Sequence, residues 1–181
     1  MKIYFSADCH FDHDNIIKYT NRPFKNVNHM NEEIIKRWNN VVSKDDLVYH
    51  VGDFAFKGQD NGRLFEQKLN GSIVHIRGNH DMNNGVKTYI DKAMMFFGGK
   101  DVFVQHHPPE ILPICDFVIC GHIHEKWKFK LLKSNPSIPI INVGVDVNEF
   151  TPVSTTSVLK QYNKIKLNYC KKNLYGEYKE I

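Results

Sequence analysis

Residues 72–85 read SIVHIRGNHDMNNG. Ile73, Val74 and Ile76 form an apolar run that stops at four small or polar residues, Gly78-Asn79-His80-Asp81. Asn and Asp are ordinary turn formers, so the run reads as a strand delivering its chain into a loop. The histidine between them is what needs explaining. The same event recurs along the chain: KIYFSA runs into Asp8-Cys9-His10, DLVYHV into Gly52-Asp53, DVFVQ into His106-His107, and DFVIC into Gly121-His122-Ile123-His124. Each time an apolar strand ends in side chains suited to a metal ion.

Between these strands lie helical patterns. NIIKY suits a short helix, and a longer one runs from about Asn28 through MNEEIIKRWNNVV with Ile34, Ile35 and Trp38 on one stripe. GRLFEQKL and KTYIDKAM also read as helices, KWKFKLL alternates weakly, and IPIINVGV is strand-like. Ser154 is placed to cap a last helix through TTSVLKQY. Strands alternating with helices predict an α/β fold, in which ligands bind at the loops beyond the strand ends. No internal repeat or long linker interrupts the order, and 181 residues predict one domain over 1–181.

Composition narrows the function classes. The formal net charge is +4 and 41% of residues are hydrophobic. A mild basic excess suits anionic substrates but falls short of the basic stripe of a nucleic-acid binder. Part of it lies in KQYNKIKLNYCKKNLYGEYKE, which reads as a solvated helix face or tail. The four cysteines, Cys9, Cys115, Cys120 and Cys170, contain no C-x-x-C pair, which argues against a zinc ribbon and a thioredoxin-like motif. The N-terminal apolar run ends at Asp8, too early for a signal-peptide core, and no run reaches the length of a membrane span. A soluble, cytoplasmic protein with reduced cysteines is expected.

Each cluster alone is weak. Asp8-x-His10 places two donors at i and i+2, on one side of an extended chain, yet reads equally as a polar loop start. Gly52-Asp53 is a common turn pair, and Asn79 is by itself a turn residue, although its amide oxygen suits a divalent cation. One of His106 and His107 can bind while the other is exposed. His122 and His124, again at i and i+2 after a glycine, are the strongest single element.

The ordered set D-x-H, G-D, G-N-H-D, H-x-P, G-H-x-H, each after an apolar strand, resembles the calcineurin-like metallophosphoesterase superfamily. The likeness runs from Asp8 to His124 and on through INVGVD, and the last thirty or so residues carry no motif. It implies a four-layer αββα sandwich, two mixed β-sheets flanked by helices, with a two-metal site along one edge. Carried over by position, it implies that Asp8, His10, Asp53 and His124 hold metal one. Asp53 as the bridge, Asn79, His106 and His122 would hold metal two. His106 is preferred to His107 because the family ligand stands two residues before a proline, here Pro108. His80 becomes the catalytic general acid rather than a ligand, with Asp81 orienting it.

The charge balance agrees with this assignment. Two divalent cations less the charges of Asp8 and Asp53 leave a net of about +2, suited to one hydroxide and one phosphate ester anion. Oxygen and imidazole donors without thiolate suit manganese, iron or zinc; manganese is favoured here. Arg22, with Lys25, sits in an early loop where a guanidinium can take a substrate phosphate, and His13 and Asn15 can reach the site edge, although a surface or structural role is the preferred reading of each. His50 and His75 read as satisfied core histidines, His29 as a first-turn helix residue, and Trp38 and Trp127 as packing.

The expected function is a metal-dependent hydrolase of small phosphate esters, phosphodiesters before phosphomonoesters. Short oligonucleotides or cyclic nucleotides are possible substrates. The competing readings are a small nuclease and a non-catalytic protein-binding scaffold of the same fold. His80 alongside a full ligand set weighs against the scaffold.

Overall fold

A computed structural model describes the chain apart from residues 57, 59, 133, 134 and 176–181, with backbone alone for 171–175. The chain runs β1 (Ile3–Ser6), α1 (Asp14–Tyr19), α2 (Val27–Val41), β2 (Leu47–Val51), α3 (Asn61–Glu66) and β3 (Ser72–Ile76). It continues with β4 (Lys92–Phe97), β5 (Lys100–Gln105), β6 (Phe117–Cys120), β7 (Phe129–Leu132), β8 (Asn135–Asn142), β9 (Val153–Ser154) and α4 (Thr155–Tyr175). Two mixed sheets result, ordered β3-β2-β1-β9 and β4-β5-β6-β8-β7.

The sheets face each other across one apolar layer. Phe5, Ala7, Val51 and Ile76 of the first meet Val102, Val104, Phe117, Ile119 and Ile141 of the second, all essentially without exposure. On the first sheet's outer face, α1, α2 and α3 lay Ile16, Met30, Ile34, Trp38 and Phe65 against Tyr4 and Val48. Period-2 alternation makes this possible: Tyr4 points out to the helices and Phe5 in to the second sheet. α4 docks Val158, Tyr162 and Ile165 onto the inter-sheet layer, with Tyr162 stacked 4.9 Å from Phe117. The second sheet's outer face is closed by Leu112, Cys115 and Trp127 over Val118, Cys120 and Ile140.

The helix starts follow from their caps. Asn26 accepts the amide of His29 at 2.9 Å, so α2 begins at Val27, and Ser154 Oγ accepts the amide of Ser157 to start α4. The basic C-terminal segment continues α4 to Tyr175, with Lys160, Asn163 and Lys164 exposed and Tyr162 and Ile165 buried, and its final residues 176–181 lie outside the described ones. One expected helix is a strand. KTYIDKAM gives an irregular segment followed by β4, whose residues alternate in exposure and pair antiparallel with β5, Phe97 opposite Lys100. The signal is Gly98-Gly99, both at positive φ (59° and 70°), the pair that a two-residue hairpin turn requires.

His50 and His75 do lie in the core, but His50 is not satisfied. Neither of its ring nitrogens has a hydrogen-bond partner, whereas His75 Nε2 pairs with Glu66 at 2.6 Å. Burial pushes the His50 imidazole well below its usual pKa, which keeps it neutral. The four cysteines are unpaired. Among the described residues no helix is long and apolar enough to cross a membrane.

Candidate metal centre

All the clusters lie where strands end on one edge of the two sheets. β1, β2 and β3 are mutually parallel, as are β5 and β6, so their C-terminal ends point the same way. The loops after β1 and β2 run side by side, with Asp8 N bonded to Gly52 O and His10 N to Asp53 O, both at 3.0 Å. Gly121 N on His106 O does the same for the second sheet. A bridge between Ala7 and Gly144, with Val145 N on Ala7 O at 3.0 Å, joins the two edges.

The donors are not presented from extended chain. Asp8 (φ 59°), His10 (49°), Asp53 (58°), His122 (71°) and His124 (47°) all adopt left-handed backbone. The i and i+2 pairs therefore do not share a strand face; each residue is turned separately, and a short 3₁₀ turn begins at His124. Left-handed non-glycine residues cost energy and concentrate at functional sites. Five of them on one edge, all in ligand-type residues, mark the site independently of any motif.

Donor atoms converge in three groups, each within 4.8 Å: Asp8, His10 and His124; Asp8, Asp53 and His106; His106, His107 and His122. Asp53 joins them. Its Oδ2 lies 3.4 Å from His10 Nε2 and 3.2 Å from His106 Nε2, and its Oδ1 accepts the His80 amide at 2.8 Å. Asn79 Oδ1 is 3.1 Å from His106 Nε2 and 3.0 Å from His122 Nδ1. Gly78 is needed here for space: a Cβ on it would run into the Asp53 carboxylate and backbone. His10 is buried, and neither of its ring nitrogens has a hydrogen-bond partner. A buried nitrogen without a partner is costly unless something accepts its lone pair. A divalent cation does so, and the surrounding oxygen and imidazole donors suit one.

Protonation follows from burial and neighbours. Burial lowers His10 well below its usual pKa and His122 to about 4, so both offer lone pairs at neutral pH. Burial raises Asp8 to about 6 against the pull of His106 and His124. Burial also works against charge on His106, but its hydrogen bond to the Asp53 carboxylate and the charges of Asp8 and Asp53 outweigh it and lift the imidazole to about 9. Burial works upward on Asp53 too, yet its His106 and His10 partners hold it well below the carboxylate range. His106 Nδ1 donates to the Val51 carbonyl at 2.8 Å, which fixes the ring and aims Nε2 at the site.

The calcineurin-like phosphoesterase superfamily domain matches residues 1–161. The chain belongs to that superfamily. An uncharacterized protein of Methanocaldococcus jannaschii is 39% identical over 170 residues, covering 92% of this chain and 94% of the relative. A protein of unknown function from Aquifex aeolicus has a similar structure, with a TM-score of 0.68 and 25% identity over 88% of this chain and 98% of its own. Vps29 of Entamoeba histolytica, complexed with zinc, aligns at a TM-score of 0.47 and 15% identity over 80% of this chain and 74% of its own.

Several residues of the chain stand differently from their sequence reading. The Asp81 carboxylate makes no hydrogen bond to the His80 ring. It accepts the amides of Asp53, Phe54 and Gly78 and the Asn84 side chain, all at 2.8–2.9 Å, so it organises the loop rather than the histidine. His80 is exposed, its ring edge-on to His10 at 5.2 Å. Arg22 does not face a substrate: it is buried, with its guanidinium bound to Asp146 and to the carbonyls of Asp8 and Cys9. His13 does reach the site edge, its ring 5.5 Å from that of His10 and 6.3 Å from that of His80 while its Nδ1 caps α1. His107 is exposed and stacks 3.9 Å from His122. Asp146, which sequence reasoning passed over inside INVGVD, accepts from His124 Nδ1 at 2.9 Å. The only sequence trace of it is a lone carboxylate just beyond a strand.

Proposed function

We propose that the chain is a two-metal phosphoesterase acting as one catalytic domain, with phosphodiesters as its preferred substrates. Asp8, His10, Asp53 and His124 hold the first cation, and Asp53, Asn79, His106 and His122 the second. The observation that carries this reading is the carboxylate of Asp53, with one oxygen between His10 Nε2 and His106 Nε2 and the other on the His80 amide. One side chain thus links both ligand groups and the general acid. A bound pair of divalent cations supplies hydroxide at neutral pH and neutralises phosphoryl oxygens. Manganese is our first choice among manganese, iron and zinc.

The protein's own part is positioning and proton delivery. His80 belongs to none of the donor groups found among the described residues and its ring is open to solvent, so it is free to protonate the leaving alkoxide. The backbone bond from His80 to Asp53 sets its distance from the reacting phosphate. The diester preference draws support from Arg22. With that guanidinium committed to Asp146, one cation that a dianionic monoester would use is withdrawn, and the monoanionic diester asks for less positive charge.

The test is turnover of matched chromogenic mono- and diesters by chelated protein to which Mn²⁺ is returned. Faster diester hydrolysis supports the reading, and faster monoester hydrolysis overturns the preference. Bound metal with no turnover of either ester moves the assignment to a non-catalytic scaffold.

A further inference from the structure

We propose that Asp146 and Arg22 form a buried positioning pair that holds the ligands of the first cation in their strained geometry. This inference rests on the two-metal reading and deepens it. Arg22 Nε and Nη2 meet the two carboxylate oxygens of Asp146 at 2.8 and 2.9 Å, and the two side chains are 0% and 3% exposed. The same Asp146 Oδ2 accepts from His124 Nδ1 at 2.9 Å.

The same guanidinium reaches the loop that carries two more of the ligands, Asp8 and His10. Nη2 donates to the Asp8 carbonyl at 2.7 Å and Nη1 to the Cys9 carbonyl at 3.0 Å. Those carbonyls flank His10 on its N-terminal side, within the segment where Asp8 and His10 take left-handed backbone. One ion pair therefore braces Asp8, His10 and His124, which come from two different sheets. With Nδ1–H fixed on Asp146, His124 presents Nε2 as the lone-pair donor. A buried Arg–Asp pair adds little net stability over apolar packing, because desolvation offsets the attraction. Placing three ligands is a role that apolar packing cannot fill.

Asp146→Asn tests this directly, with manganese binding followed by titration and by bound-metal analysis. The expected result is two bound metals in wild type. In the variant one of them weakens by about 10- to 100-fold and the other is unchanged. kcat should fall while KM for the diester stays within about 2-fold. In a His124→Ala background Asp146→Asn should add a smaller loss than in the wild-type background, since only the route through Arg22 to Asp8 and His10 is left. Arg22→Lys keeps a cation but loses the fork, so it should weaken the same metal to a smaller degree with KM unmoved.

Equal weakening of both metals together with a lower melting temperature of the chelated protein would mark a merely structural pair. A raised KM with unaltered metal affinity in Arg22→Lys would return Arg22 to the substrate, and either result overturns the proposal. Wild-type protein that takes up no divalent cation removes the two-metal reading and this inference together. Two tight metals in both wild type and Asp146→Asn remove this inference alone.

Discussion

Asp53 and His80 sit within one hydrogen bond of each other and do different work, and substitution separates them. Asp53→Ala removes the carboxylate shared by the two donor groups, so both metals should be lost; full occupancy of two sites in that variant would end the bridging role. His80→Ala removes a solvent-facing ring outside the donor groups. Metal content should stay at the wild-type level while turnover drops by about 10²- to 10⁴-fold, the usual range for a positioned general acid. Loss of metal in step with activity would make His80 a ligand instead. His106 is buried and anchored on the Val51 carbonyl, whereas its neighbour His107 is exposed. His106→Ala should therefore cost far more metal affinity than His107→Ala, and the reverse order would exchange their assignments.

At the scale of elements, the loop after β3 is held by Asp81, which gathers four donors from three loop segments. Asp81→Ala leaves those donors without their acceptor in a buried setting. A destabilisation of about 3 kcal/mol or more is expected, read as a shift in denaturant midpoint, with weakened metal binding because Asn79 and Asp53 are no longer held in register. A variant as stable as wild type would show that water replaces the carboxylate at no cost. This role was not legible in GNHD, where Asp81 was expected to orient His80. Sequence shows which residue types follow a strand; it does not show which way a loop turns them. The strands were legible because apolar runs and parallel α/β order leave few alternatives. For the same reason the side of the fold that carries the donors was legible too. The left-handed backbone at Asp8, His10, Asp53, His122 and His124 had no local signal, since none of these is glycine. The pairing of Arg22 with Asp146 was missed because it spans 124 positions and no local pattern records it.

For the molecule as a whole, the candidate metal centre should couple stability to pH in a way that depends on occupancy. In the metal-free chain His106 binds its proton up to about pH 9, against an ordinary value of 6.5, with Asp53 and Asp8 as its partners. A raised folded-state pKa stabilises fully below pH 6.5, and that contribution is lost as pH climbs through 9. Burial raises Asp8 only to about 6, so its ionisation is largely complete before that window opens. His124 is raised as well and shifts stability in the same direction. Chelated protein should therefore lose stability between pH 6.5 and 9.5, by at most about 3 kcal/mol from His106. At this chain length that corresponds to roughly 2–4 °C of melting temperature per kcal/mol. Metal-loaded protein should not show the fall, because a cation at His106 Nε2 takes the place of the proton and neutralises the same two carboxylates. Loading should release protons, and metal affinity should rise with pH over the same range. Melting curves of chelated and manganese-loaded protein at each pH decide the matter. Parallel curves, or a chelated protein indifferent to pH from 6.5 to 9.5, would mean that His106 carries no such proton and that the two carboxylates tolerate each other without a positive partner.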